Sequence, residues 1–258
     1  MTKNVKIGPA GLGSVKDAIS NLEKYKSLGF GACEIAFTYS AYIKGHDAVR
    51  IGEVAKKLGI RLSVHAHYWI NLNSEEDEKV RNSKKRILKC CEIGEILGAH
   101  RVVFHPGYYG KRDKLETYMN IQKEISELQE EIKKRGYKIK LAPETTGKVN
   151  VFGGVDEIRS LVEQTGCDFC IDFAHVLARD KRYRFREVFE MFKDKDSFHI
   201  HFSGIEYGDK GERRHVETPR EGFRDLIENL PKGKDITIIS ESPDPVAGAV
   251  LGLDILDK

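Results

Sequence analysis

Apolar positions fall in short runs, and each run is followed by a stretch with helical spacing, along the whole chain. Val5–Gly8 reads as a first strand and Ser14–Leu28 as its helix. The unit repeats with strand Ala32–Phe37 and helix His46–Leu58. Strand Arg61–His65 leads into a long helix ending near Leu97, and strand Arg101–His105 into helix Leu115–Arg135. Strand Lys138–Glu144 precedes helix Val155–Gln164, and strand Phe169–Asp172 precedes a helix near Phe185–Phe192. Strand Phe198–His201 precedes helix Arg220–Asn229, and strand Ile236–Glu241 precedes a last helix near Ala247–Leu256. Gly29, Gly59, Gly98, Gly136 and Gly166 stand just past helical runs, where a left-handed residue ends a helix. Eight strand–helix units in 258 residues predict one domain over 1–258. The expected α/β architecture is a single (β/α)8 TIM barrel, not an open doubly wound sheet. The segment "GPAGLG" after the first strand lacks the Lys-Ser/Thr of a phosphate loop and the dinucleotide spacing, so it reads as a turn.

Composition sharpens this only in part. Hydrophobic residues at 40% and charged residues at 32% fit a sizeable core under a charged surface and exclude a disordered chain. A net charge of +3 is no argument for nucleic acid, which would need a local basic rim. Three groups offer one: Lys111, Arg112 and Lys114; Arg179, Lys181, Arg182, Arg184 and Arg186; and Lys210, Arg213 and Arg214. Each reads equally well as a solvated loop. The five cysteines are odd in number and no signal peptide opens the chain, so a reduced, cytoplasmic setting is expected. No apolar run reaches the length of a membrane span, and no membrane association is expected. Cys167 and Cys170 form a C-x-x-C, but Cys170 lies inside a strand pattern with no second pair, which favours a structural role.

The chemistry gathers at the strand ends. Strand three ends in "VHAHYWINL" with His65 and His67, strand four in "VVFHPG" with His105, and strand five in "LAPETTGK" with Glu144. Strand six ends in "CIDFAH" with Asp172 and His175, strand seven in "FHIHFSG" with His199 and His201, and strand eight in "IISESPDP" with Glu241. Glu212 and His215 follow strand seven. A TIM barrel builds its active site at the C-terminal face of its strands. Strand parity puts Ala142 on the side of Glu144, and Cys170 on the side of Asp172, so these small residues point inward beneath the donors. Singly, a strand-end His is a hydrogen-bonded structural residue and an Asp is a helix cap. Jointly, burying so many uncompensated imidazoles and carboxylates is costly, and bound cations offset that cost. His with carboxylate oxygen, without thiolate, suits zinc or manganese.

Together, "H-x-x-Y-x-I-N-L", "F-H-P-G", "E-T-T-G", "I-D-x-x-H", "H-F-S-G" and "E-S-P" stand in the order found in endonuclease IV, and the chain resembles that family from strand two to the last strand. The resemblance implies a zinc-dependent apurinic/apyrimidinic DNA repair endonuclease with two or three Zn2+ per chain. By position, His65 and His105 would bind the first zinc and Glu144 would bridge the first and second. Asp172, His201 and Glu241 would complete the second, and His175 and His215 would hold the third. Family members carry an Asp two residues before that last His, where this chain has Arg213; Glu212 is the substitute at hand. His67 and His199 are not ligands under this alignment. Tyr68 and Trp69 fall on the pair that the family wedges into DNA, although the only Trp could equally pack on the barrel rim. A basic residue after strand two is replaced near Tyr42, and the chain is shorter than typical members.

Two functions follow. In the first, the protein is a monomeric hydrolase of double-stranded DNA at abasic sites, with Glu144 and Glu241 as catalytic groups that bind metal and orient water. In the second, Glu144, Asp172, His201 and Glu241 hold a single ion, such as Mn2+, for a sugar isomerase or epimerase of related barrels. The extra set His65, His105, His175 and His215 separates them, since a single-metal isomerase does not need it. A barrel that binds metal without catalysis is a third expectation, suggested only by Arg213.

Overall fold

Strand follows helix in the computed structural model, which describes residues 4–257. The chain runs β1 (Val5–Pro9), α1 (Ala18–Ser27), β2 (Ala32–Ala36), α2 (Gly45–Leu58), β3 (Arg61–His65), α3 (Asp77–Leu97), β4 (Arg101–Phe104) and the short β5 (Gly107–Tyr108). It continues with α4 (Lys114–Lys134), β6 (Lys140–Pro143), β7 (Val151–Phe152), α5 (Val155–Thr165), β8 (Ile171–Asp172), α6 (Phe173–Asp180), α7 (Phe185–Met191) and β9 (Ser197–Phe202). A hairpin of β10 (Gly204–Gly208) and β11 (Gly211–Val216) precedes α8 (Arg220–Asn229), β12 (Asp235–Ser240) and α9 (Pro245–Leu256).

Two four-stranded parallel sheets, β2-β3-β4-β6 and β1-β12-β9-β8, form the wall. Single parallel bridges join them, Ala10 to Glu34 on one side and Glu144 to Cys170 on the other, and so close the barrel. The expected TIM barrel is the fold found. Gly59, Gly98 and Gly166 end α2, α3 and α5 in the left-handed conformation, as their places in the sequence imply. Helix α1 starts at Ala18 rather than Ser14, because residues 14–17 form a turn.

Most of the core lies between the sheet and the helices, where Phe30, Phe104, Phe169 and Phe198 are fully buried. The barrel interior is different. Val103, Ala142 and Cys170 form a small cluster of their own, beneath the strand ends as parity implied. Small residues there leave the lumen short of bulk, and polar side chains fill the layers above.

Candidate metal centre

Glu144, at the end of β6, is fully buried and sits at the middle of the strand-end layer. Its Oε2 lies 3.0 Å from His65 Nε2 and 3.1 Å from His105 Nε2. Its Oε1 lies 3.2 Å from His201 Nδ1 and 3.3 Å from His175 Nδ1. His201 Nδ1 is also 3.3 Å from Glu241 Oε1. Three donor groups emerge, each with ligand atoms within 4.8 Å of one another: His65, His105 and Glu144; Glu144, Asp172, His201 and Glu241; and Asp172, His175 and His215. The structure therefore brings together all eight strand-end donors, and it adds Asp172 to the third group. A cleft of about 320 Å³ opens over them, lined by His65, His105, His175, Glu212, His215 and Glu241.

Outward contacts fix how the imidazoles face. His65 Nδ1 meets the carbonyl of Ala66 at 2.9 Å, and His175 Nδ1 meets that of Thr145 at 2.9 Å. Ser203 Oγ donates to the carbonyl of Gly204 and is left to accept from His215 Nδ1 at 2.6 Å. A carbonyl accepts but never donates, so each Nδ1 carries a proton and Nε2 is the nitrogen whose lone pair is left for a second proton or a metal. Those lone pairs converge: Nε2 of His175 and Nε2 of His215 are 3.2 Å apart. Two lone pairs at that distance require a cation between them, whether a proton or a metal. Asp172 adds a second sign. Its Oδ1 caps α6 by accepting the His175 amide at 2.8 Å, while its Oδ2 is buried with no hydrogen-bond partner. These donors fit divalent ions.

The electrostatics point the same way. Burial alone would raise the Glu144 carboxyl, but the imidazoles of His105 and His201 outweigh it and hold the group well below its ordinary value. Burial likewise opposes Glu241, yet His201 brings it down to about 2. Asp172 goes the other way, since burial raises its carboxyl against the pull of His175 and His215. Burial would lower His65, but Glu144 lifts it to about 9. Protons on these rings and divalent cations among them are competing answers to one charge problem.

The β10–β11 hairpin delivers Glu212 and His215. Residues three apart on a regular strand face opposite sides. Here Glu206 pairs with Arg214 and Tyr207 with Glu212, so Arg213 is an extra, bulged residue. The bulge restores parity and turns Glu212 to the same side as His215. Glu212 Oε2 lies 3.6 Å from His175 Nε2, and Oε1 lies 4.0 Å from His215 Nε2. Arg213, where an Asp was expected, is exposed, with its guanidinium against Gly208. Gly211 turns the hairpin at φ 89° and passes so close to the carbonyl of Gly147 that a Cβ would stand 2.1 Å from it.

His67 has Nδ1 3.6 Å from Cys90 Sγ, and His199 faces the barrel interior with Nε2 2.8 Å from Glu34 Oε2. Tyr68 and Trp69 are 58% and 56% exposed at the cleft edge, so Trp69 is not buried in the rim. Tyr39 packs on Trp69 at 5.8 Å and Arg86 lies over it at 5.9 Å. Tyr42 donates to the carbonyl of Gly13. Much of the basic rim is engaged elsewhere: Arg112 with Asn73 and Glu116, Arg179 with Lys148 and Val151 carbonyls, Arg182 and Arg184 with Glu187, and Arg214 with Glu206. All five cysteines are free and buried, Cys167 and Cys170 included. Sequence reasoning missed Glu34, a fully buried carboxylate on β2 that touches both His199 and His201. The available signal was an acid inside the apolar run "ACEIAF".

A closed barrel with clustered imidazoles and carboxylates at its strand ends defines a class of metal-binding α/β barrels. Within it, the chain belongs to the Xylose isomerase-like TIM barrel family, whose model matches residues 22–258. An uncharacterized protein of Methanocaldococcus jannaschii is 37% identical over 255 residues, covering 92% of this chain and 91% of that one. A probable endonuclease 4 of Thermoplasma volcanium is 31% identical over 144 residues, covering 54% of this chain and 49%, about half, of its own length. Among solved structures, endonuclease IV from Thermus thermophilus superposes with a TM-score of 0.74 at 17% identity, over 98% of this chain and 97% of that one. A D-tagatose 3-epimerase-like protein gives 0.74 at 22% identity, over 98% and 96%. At these identities the solved structures speak for the fold alone. Among the described residues no helix is long and apolar enough to cross a membrane.

Proposed function

We propose that the chain is a zinc-dependent phosphodiesterase that cuts double-stranded DNA 5′ to abasic sites. The observation that carries the reading is the second set of imidazoles. His65, His105, His175 and His215 line the cleft beyond the Glu144, Asp172, His201 and Glu241 quartet, and outward contacts of Nδ1 turn Nε2 of His65, His175 and His215 inward. The sequence match to a probable endonuclease 4 supports it. His65, His105 and Glu144 would hold one ion, and Glu144, Asp172, His201 and Glu241 a second. His175 and His215, with Asp172 or the bulge-delivered Glu212, would hold a third. Divalent ions bound there supply charge against the phosphate and lower the pKa of a water.

The chain's own groups do the remaining work. Buried Glu144 spaces the donor groups, because its two oxygens face different imidazoles. Glu241 alone of the quartet lines the cleft, and it orients the attacking water by accepting its hydrogen bond. Tyr68 and Trp69 fill the stack vacated by the flipped abasic nucleotide, offsetting a few kcal/mol of unstacking. Incubating Zn2+-loaded protein with a duplex carrying one abasic site tests this. The expected product is a nick 5′ to the lesion with an extendable 3′-hydroxyl, from protein holding two or three ions per chain. An intact duplex would overturn the reading.

One observation favours a second reading. The quartet by itself makes a complete single-ion site, and the fold is equally close to the epimerase-like structure. Glu144 and Glu241 would then move protons on a ketose. A single ion per chain with ketose turnover would select it.

A further inference from the structure

His201 is the one strand-end imidazole whose two nitrogens face two buried carboxylate layers. Nδ1 faces Glu144 and Glu241, at 3.2 Å and 3.3 Å. Nε2 faces down the barrel, 2.9 Å from Glu34 Oε1. That contact is too bent for an aligned hydrogen bond, and both atoms are buried with no other hydrogen-bond partner. The other oxygen of Glu34 is fully engaged. Oε2 accepts from Ser63 Oγ at 2.7 Å and from His199 Nε2 at 2.8 Å. All four residues are buried. Ser63 and His199 therefore hold the carboxylate from two sides and leave Oε1 turned to His201.

A second ion in this lower layer fits poorly, although Cys170, His199 and His201 offer atoms within 4.8 Å of one another. Two donors about 2.0 Å from one tetrahedral zinc lie roughly 3.3 Å apart. Glu34 Oε2 and His199 Nε2 are at 2.8 Å, the distance of a shared proton. What the layer does instead is select a tautomer. A proton on Nε2 of His201 sets positive charge 2.9 Å from Oε1, a favourable Coulombic contact even though it is bent. A proton on Nδ1 would set an Nε2 lone pair against a carboxylate in a dry interior.

We infer that Glu34 is a positioning residue of the centre: it holds His201 with the proton on Nε2, and so presents the Nδ1 lone pair to the site shared with Glu144, Asp172 and Glu241. The inference rests on reading those residues as metal ligands. Carboxylates placed behind ligating imidazoles typically change metal affinity ten- to a hundredfold when altered.

The test uses Zn2+-loaded protein with 15N-labelled histidine. Wild type should show His201 protonated at Nε2 and ligating through Nδ1. In Glu34→Gln, an amide can donate to Nε2 and favour the wrong tautomer. Chelator competition should then show one ion per chain bound about ten- to a hundredfold more weakly, the other ions unchanged, and the His201 ring nitrogens shifted. Ser63→Ala removes only a hydroxyl that holds Glu34. It should weaken the same ion severalfold with the fold intact, and it decides the matter should Glu34→Gln fail to fold. Wild-type Zn2+ affinity in Ser63→Ala and in folded Glu34→Gln overturns the inference, as does His201 ligating through Nε2. Wild type that takes up no Zn2+ overturns the metal reading itself, a separate outcome.

Discussion

The two ends of the barrel both carry ionisable groups, yet they are built on opposite rules. At the N-terminal floor the two arginines meet carboxylates. Arg101 donates to Asp168 at 2.8 Å and to Ser197 at 2.7 Å, and Arg61 donates to Thr237 at 3.0 Å and pairs with Asp235 at 2.9 Å. At the strand ends, carboxylates and imidazole nitrogens converge on one another, and no Lys or Arg lines the cleft above them. The floor is complete within the protein. The top is complete only with protons or metal ions supplied from outside. Self-sufficiency marks the stabilising face and its lack marks the functional one, as barrel architecture leads one to expect.

Breaking the top at its centre should give the largest effect. Glu144→Gln keeps the volume and removes the charge that spaces the donor groups. Activity on abasic duplex should fall roughly a thousandfold, equivalent to the several kcal/mol of charge stabilisation that metal ions supply. The melting temperature of the metal-free protein should fall, since the carboxylate that His105 and His201 hold ionised is gone and their imidazoles lose its counter-charge. Normal turnover would remove Glu144 from the reaction centre. Arg101→Met makes the converse change at the floor. It takes the guanidinium from Asp168, leaving only Lys140 Nζ at 3.9 Å and the Phe169 amide at 3.1 Å, and should cost about 3 kcal/mol of stability in a denaturant melt. Metal content should stay at the wild-type value, and a drop in bound ions would show that the two ends are not separable. Trp69→Ala sharpens the comparison within the top face. Duplex affinity should fall about ten- to a hundredfold, the stacking range converted to a ratio. Metal content and turnover of a small phosphodiester should not change, and equal losses in both assays would make Trp69 a rim support.

The strand-end donors were legible because a buried strand is a run of apolar residues, and a His or carboxylate at its end breaks the run visibly. Glu34 escaped for the complementary reason. It sits inside its strand, one layer below the rim, where only the pairing of β2 with β3 and the reach across the lumen to β9 show that Ser63 and His199 are there to receive it. The β10–β11 hairpin, the β5–β7 pair and α6 were missed as well. Asp172 starts α6 at once by capping it, with no loop to punctuate the change. Strands β5 and β7 have two residues each and pair across more than forty intervening positions, so no local pattern records them. Glu212 was named only as a substitute, because the bulge that turns it inward is a property of the pairing with β10 and not of its own strand.

That bulge makes the hairpin a ledger of single-codon events. Glu-Arg-Arg-His with a bulge and an acid-x-His without one aim the same two side chains at the same place. Deleting the Arg213 codon would convert the first spelling into the second and leave the donors where they are. Lineages of this barrel can therefore drift between the two spellings by insertion or deletion, and a search for one fixed spacing will pass over those that use the other.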